Sequence, residues 1–239
     1  MTGTIQTISI VNLSLSFIPV LVVLVIMSSW ALNSRTAIYA VMRMLMQLIL
    51  IGYVLTYIFA TDQAWIVILV LAIMLAVSSW IALRPLKDRQ GVSYLSVFGS
   101  ISLGGVTTLF LVTGLVLELH PWFLPQFMIP LAGMIFSNAM NTVSLAAERF
   151  AAEKKNNVPD DEARRIALNA ALIPVINSLF AVGIVSLPGM MTGQILSGIS
   201  PLIAVRYQIM VMCMIFGSAG ISAACYLALL KPSARAEVA

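Results

Sequence analysis

Seven apolar runs, each close to the length of a bilayer crossing, constrain this chain more than any other feature. They cover residues 13–32, 40–59, 64–83, 98–117, 127–147, 173–193 and 204–230. A spanning helix takes about 20 mainly apolar residues. Only 9% of the 239 residues are charged and 61% are hydrophobic, against roughly 25% charged in a soluble domain. With a mean hydropathy of +1.03, the chain has more apolar surface than a water-soluble fold of its size can hide. The reading is an all-α, polytopic membrane helix bundle of about seven transmembrane helices, forming a single transmembrane domain over 1–239. The first run is too long for a signal peptide and no basic residue precedes Arg35, so it is expected to remain as a spanning helix. Cys213 and Cys225 both lie in the last run, outside any ligand-spaced motif, and read as ordinary helix residues.

Charge sets the expected orientation. Arg35 lies between the first and second runs, and Arg84, Lys87 and Arg89 between the third and fourth. Arg149, Lys154, Lys155, Arg164 and Arg165 lie between the fifth and sixth, and Lys231 and Arg235 follow the seventh. These alternate connections hold 11 of the 13 basic residues, whereas the opposite ones carry Asp62, Glu118 and His120. The positive-inside rule then puts the N-terminus outside and the C-terminus in the cytoplasm, in a multi-pass protein of the inner (plasma) membrane. Basic residues so distributed give no reason to expect nucleic acid as a partner.

The sixth run contains "SLPGMMTGQILSG", residues 186–198, with one Pro and three Gly among apolar residues. Proline removes a backbone donor and kinks or breaks a helix. Non-helical backbone at membrane depth survives only inside protein or beside a water-filled cavity. Pro188, Gly189, Met190, Met191, Gly193 and Gln194 are therefore candidates for a hinge or a translocation path, with a plain packing kink as the alternative. The Gly189-x-x-x-Gly193 spacing also permits close helix approach. The two Met are soft thioethers that suit Cu(I) better than iron, and they read as packing residues rather than ligands. No metal-ligand set is assigned.

Other polar residues fall on helical stripes. Arg43 and Gln47 are one turn apart in the second run, with Tyr57 on the same face. Either they line a cavity or Arg43 reaches the headgroups. In the fifth run Met134, Ser137, Asn138, Asn141, Ser144 and Glu148 recur at three- and four-residue steps. That stripe is expected in the bundle interior, lining a polar path or hydrogen-bonding to neighbouring helices. Asn177 in the sixth run joins the candidates for the path. The lone His120 reads as a solvated loop residue, with Glu118 and Asp62 leaving a weak cation site open.

The chain carries no G-x-x-x-x-G-K-[ST] phosphate loop, and one His cannot supply a Ser/His/Asp or Cys/His set. The expectation is not an enzyme, with no cofactor in this chain. The longest connection, about 148–170, reads "AERFAAEKKNNVPDDEARRIALNAALIP" from residue 147. Asn156, Asn157 and Pro159 mark a turn, and Asp160, Asp161 and Glu162 suit a helix N-terminus. Arg164, Arg165, Ile166 and Leu168 continue it into the sixth run, so a short amphipathic helix is expected at the cytoplasmic face, leading straight into the breaker-rich segment, either a solvated elbow or a docking element for a cytoplasmic partner.

"AALIPVINSLFAVGIVSLPGMMTGQILSGISPLIAVRYQIMVM", residues 170–212, resembles the signature region of FetB-type permeases. These are membrane subunits of ABC transporters, and they include bacterial iron exporters and plant aluminium-tolerance proteins. "IPLAGMIFSNAMN" and "RMLMQLILIGYVLTYIF" resemble the same family. The resemblance implies a separate ABC ATPase subunit that binds ATP and Mg, a complex of two permease and two ATPase subunits with the permease as a homodimer, and export of iron or another metal. Plant relatives are linked to a nucleotide sugar, which is the alternative cargo. On the amphipathic helix, Pro159, Asp160, Glu162, Arg164 and Arg165 are the candidates for coupling to that ATPase. Family members carry a longer connection here, with a segment like "LSLGATPKQA" that this chain lacks. A membrane sensor or scaffold for an ATPase is the alternative from another class, and a channel is a third, disfavoured by the absence of charged rings.

Overall fold

The computed structural model describes residues 8–61, 63–84 and 93–230. Among these the chain is helical throughout, with one isolated backbone bridge between Val182 and Ser186. Asp62, Lys87, Arg89, Lys231 and Arg235, used above to orient the chain, lie outside the described residues.

The residues group into two units. The first holds α1 (Ile10–Leu15), α2 (Ile18–Ser29) and α3 (Ser34–Ile58), together with Leu196–Gly198. Ser9 Oγ caps α1 by accepting from the Asn12 amide at 3.2 Å, and Asn33 Oδ1 caps α3 by accepting from the Thr36 amide at 3.3 Å. Such side-chain acceptors satisfy amides that a helix start leaves unpaired. No residue of α1, α2 or α3 is buried. Helices apolar on every side with nothing buried are suited to lipid as their surroundings. Within this unit Arg43 is half-buried, while Gln47 and Tyr57 are exposed.

The second unit contains the core. It is built from α4 (Ala64–Ala82), α5 (Tyr94–Phe110), α6 (Pro125–Lys155), α7 (Asp160–Ala181), α8 (Gly189–Leu196, its last residue excepted) and α9 (Pro201–Leu229). The last turns of α5 run on as a π-helix, Leu111–Val116. Helices α6 and α9 start with Pro at the first position, where a missing amide costs nothing. Helix α9 is the hub and packs against α5, α6 and α7, while α6 also packs against α4, α5 and α7.

Small residues let these helices come close. A Cβ on Gly104 of α5 would fall on Ser222 Oγ, 2.8 Å from the Ser222 amide nitrogen and 2.9 Å from the Ser218 carbonyl oxygen, both on α9. Gly105 lies equally tight against Phe136 of α6. On α7, Ala163, Ala167 and Ala171 recur every four residues and are fully buried. By contrast, a Cβ on Gly189 or Gly193 would meet nothing within 4 Å. The expectation of close approach at those two glycines is corrected accordingly: the close seams lie at Gly104–Gly105 and along the α7 alanines.

Among the described residues, six helical segments are long and apolar enough to cross a membrane, with 10–29 counted as one. The sixth apolar run of the sequence is not among them. Its first half belongs to α7, which begins thirteen residues earlier than that run, at Asp160. The expected docking helix and the head of the sixth run are thus one continuous helix, carried through Pro174. The break follows at Val182, whose ψ of 132° is extended. Gly183 adopts φ +86°, a conformation open to glycine at little cost. The amides of Val185 and Ser186 then donate back to the Ala181 carbonyl at 2.8 and 3.1 Å. The helix therefore ends at Val182 and Gly183, six residues before Pro188, and Pro188 instead precedes the first residue of α8.

Candidate translocation cavity

A cavity of about 340 Å³ opens in the second unit where α6, α7 and α9 meet the turn at 182–188. Helix α6 contributes Asn138, Asn141 and Thr142, and α7 contributes Ala171, Pro174, Val175 and Ser178. The turn adds Val182, Ser186 and Pro188, and α9 adds Met212 and Ile215. The α6 residues face it together because their spacing follows the helical repeat.

Three of the polar side chains bond to their own helices. Asn138 Nδ2 donates to the Met134 carbonyl, Thr142 Oγ1 to the Asn138 carbonyl and Ser178 Oγ to the Pro174 carbonyl, each at 2.9 Å. Of the two readings of the α6 stripe, the cavity-lining one agrees with this geometry. Expectation of an interior stripe needs correcting, because Ser137, Asn141 and Glu148 are exposed. The buried face of α6 is instead Leu131, Ala132, Ile135, Ala139, Val143 and Ala146.

Three of the candidate path residues, Asn138, Asn141 and Pro188, meet in this cavity. Met134 packs against the apolar core, as does Met190, in keeping with methionine as a filler of irregular gaps. Asn177 is exposed and off the cavity, one residue from Ser178, which lines it. Gly189, Met191, Gly193 and Gln194 lie on α8 and do not line it. The residues missed in the sequence are Thr142, Ser178, Ser186, Met212 and Ile215. Thr142 carried a signal, one helical turn after Asn138; Met212 and Ile215 carried none, because α9 is apolar all round. No group of three or more His, Cys, Asp or Glu side chains stands together among the described residues.

The far end of α6 and the head of α7 form a charged hairpin. Asn156 and Asn157 turn the chain, Asn157 with φ +60°. Lys154 Nζ bridges to Asp160 Oδ1 at 2.5 Å and donates to the Val158 carbonyl at 3.2 Å. Arg149 pairs with Glu153 at 2.6 Å. The two arginines at the head of α7 differ. Arg164 donates through Nη2 to the Leu230 carbonyl at the end of α9, at 2.9 Å. Arg165 has its side chain 80% exposed and reaches Glu162 at 3.8 Å, and Asp161 is 99% exposed. Arg164 is thus a structural tie, while Asp161, Glu162 and Arg165 are presented outward.

The family model described as "Uncharacterised protein family (UPF0014)" matches residues 10–163 and 160–234, nearly the whole chain. The chain belongs to that family. A UPF0014 membrane protein of Synechocystis, slr1647, is 41% identical over 192 residues, covering 72% of this chain and 73% of its own. The "Probable iron export permease protein FetB" of Escherichia coli is 35% identical over 244 residues, covering 93% and 92%. "Protein ALUMINUM SENSITIVE 3" of Arabidopsis thaliana is 33% identical over 232 residues, covering 90% and 84%. No solved structure matches the chain. The two stretches matched in this UPF0014 member meet within the first turn of α7. The chain is therefore a multi-pass membrane protein of a family with permease relatives.

Proposed function

We propose that the chain is the membrane-spanning subunit of an ABC transporter, works as a homodimer with two separate ATPase subunits in the inner membrane, and exports iron or another metal. The observation that carries this reading is the similarity to the probable iron export permease, which covers 93% of this chain and 92% of that protein. The geometry is compatible with it. Helix α7 is 22 residues long, about 33 Å at 1.5 Å per residue, and runs from the charged hairpin to the cavity wall. A push on the hairpin by an ATPase would reach the cavity through a single rigid element. The seven-crossing topology, with α7 and α8 as a broken sixth crossing and the hairpin cytoplasmic, belongs to the same proposal.

The test is transport by the permease reconstituted with its ATPase in vesicles. ATP-dependent movement of iron, with ATP hydrolysis raised by the metal, is the expected result. Hydrolysis that no metal stimulates, with no metal moved, would favour a sensor or scaffold instead.

A further inference from the structure

The cavity wall sets neutral polar side chains among apolar ones and carries no ionisable side chain. Asn138, Asn141, Thr142, Ser178 and Ser186 are its polar residues. A hydroxyl has one proton and two lone pairs. Thr142 and Ser178 spend that proton on carbonyls of their own helices, at 2.9 Å. Asn138 likewise spends an amide proton on the Met134 carbonyl. Thr142 and Ser178 thus turn oxygen lone pairs to a ligand, while Asn141, the second amide proton of Asn138 and the Ser186 hydroxyl can also donate. A ligand that fits this mixed, uncharged set carries groups that both donate and accept, as hydroxyls do.

This chemistry excludes two cargoes from the cavity. A diphosphate or carboxylate would bring negative charge, with no Arg or Lys on the wall to offset it. A bare iron ion prefers imidazole, carboxylate or thiolate ligands, and none lines the cavity. Its charge would be taken out of water without compensation. A hydroxyl-rich molecule of no net charge meets neither obstacle. The volume of about 340 Å³ lies at the small end of ordinary ligand sites.

We propose that the cavity binds a small neutral, hydroxyl-bearing organic molecule, either free or already holding a metal ion through its own oxygens. This rests on the permease reading and narrows its cargo: if the exported metal passes here, it passes as a neutral complex.

The experiment is equilibrium binding by calorimetry to the purified chain in lipid nanodiscs. The probes are myo-inositol, the neutral ferrous bis-kojate complex, whose ligands keep free hydroxymethyl groups, ferrous ion alone and uridine diphosphate. Saturable binding of either neutral probe is expected, weakened on the order of tenfold or more by Asn141→Leu or Ser178→Val, since each removes a hydrogen-bonding group. Both residues are exposed on the cavity wall, so the variants should fold, and Ser137→Ala, on the same helix but off the cavity, should bind as the parent does. Binding of inositol assigns a free polyol and binding of the complex alone assigns a chelate; both support the proposal. It is overturned if neither neutral probe binds, or if ferrous ion or uridine diphosphate binds and is lost in the same variants. Iron movement by the ATPase complex that persists in both variants, with no neutral probe bound, would reject the cavity assignment and leave the export reading standing. Neutral-probe binding with no ATP-driven movement would do the reverse.

Discussion

At Gly104 the backbone of α5 lies against the Ser222 amide and the Ser218 carbonyl of α9, so an added methyl group meets backbone and not a yielding side chain. Gly104→Ala should lower stability by about 1–3 kcal/mol, the usual cost of overpacking. Gly189→Ala and Gly193→Ala face open space and should leave stability unchanged or slightly higher, since alanine favours a helix over glycine. Thermal unfolding in detergent reads all three, and a Gly189→Ala loss matching that of Gly104→Ala would refute this ordering. The spacing of Gly189 and Gly193 suggested a helix contact, yet nothing in one sequence says which of fourteen glycines faces a neighbour. That is set by the rotation of each helix in the bundle. Met190 was legible as a packing residue because a thioether without hard ligands nearby has little else to do, and it does pack against the core. Met190→Leu should accordingly cost less than about 1.5 kcal/mol, as volume-conserving swaps do.

Among the helices, α7 joins an amphipathic charged head to an apolar run, a continuation legible in Arg164, Arg165, Ile166 and Leu168, and it carries on through Pro174. Its buried side is the alanine row at 163, 167 and 171, and Ala167→Leu should overpack it by about 1–3 kcal/mol. The head separates two roles. Arg164→Glu breaks the bond to the Leu230 carbonyl and brings a carboxylate beside Asp161, so it should lower stability by about 1–3 kcal/mol. Arg165→Glu alters an exposed position and should leave the melting temperature unchanged while weakening copurification with the ATPase. If Arg165→Glu binds the ATPase as the parent does, the contact surface lies elsewhere on the hairpin. The α6 stripe was half legible: helical spacing grouped Asn138 with Asn141, but which polar residues face a cavity depends on α7 and α9, whose positions no local pattern encodes.

For the molecule as a membrane protein, the apolar runs were legible because length and hydropathy answer directly to bilayer thickness. The broken crossing was legible only as an anomaly, since one glycine in a left-handed conformation, Gly183, ends α7 before proline is reached. Single Cys at His120 and Ser200 should react with an impermeant thiol reagent from outside, and Cys at Lys155 should not. Labelling of Ser200 and Lys155 from the same side would show that α9 and the hairpin are not related as seven crossings require. The place of α9 carries a consequence for biosynthesis. A chain made from its N-terminus acquires this helix last, after α5, α6 and α7 have left the ribosome. Until then the Gly104 notch has no Ser222 to fill it and Arg164 has no Leu230 carbonyl to hold. A nascent chain stopped short of residue 201 would therefore be inserted yet unfinished, with its tightest seams open to lipid and to whatever protease patrols the membrane for orphaned helices.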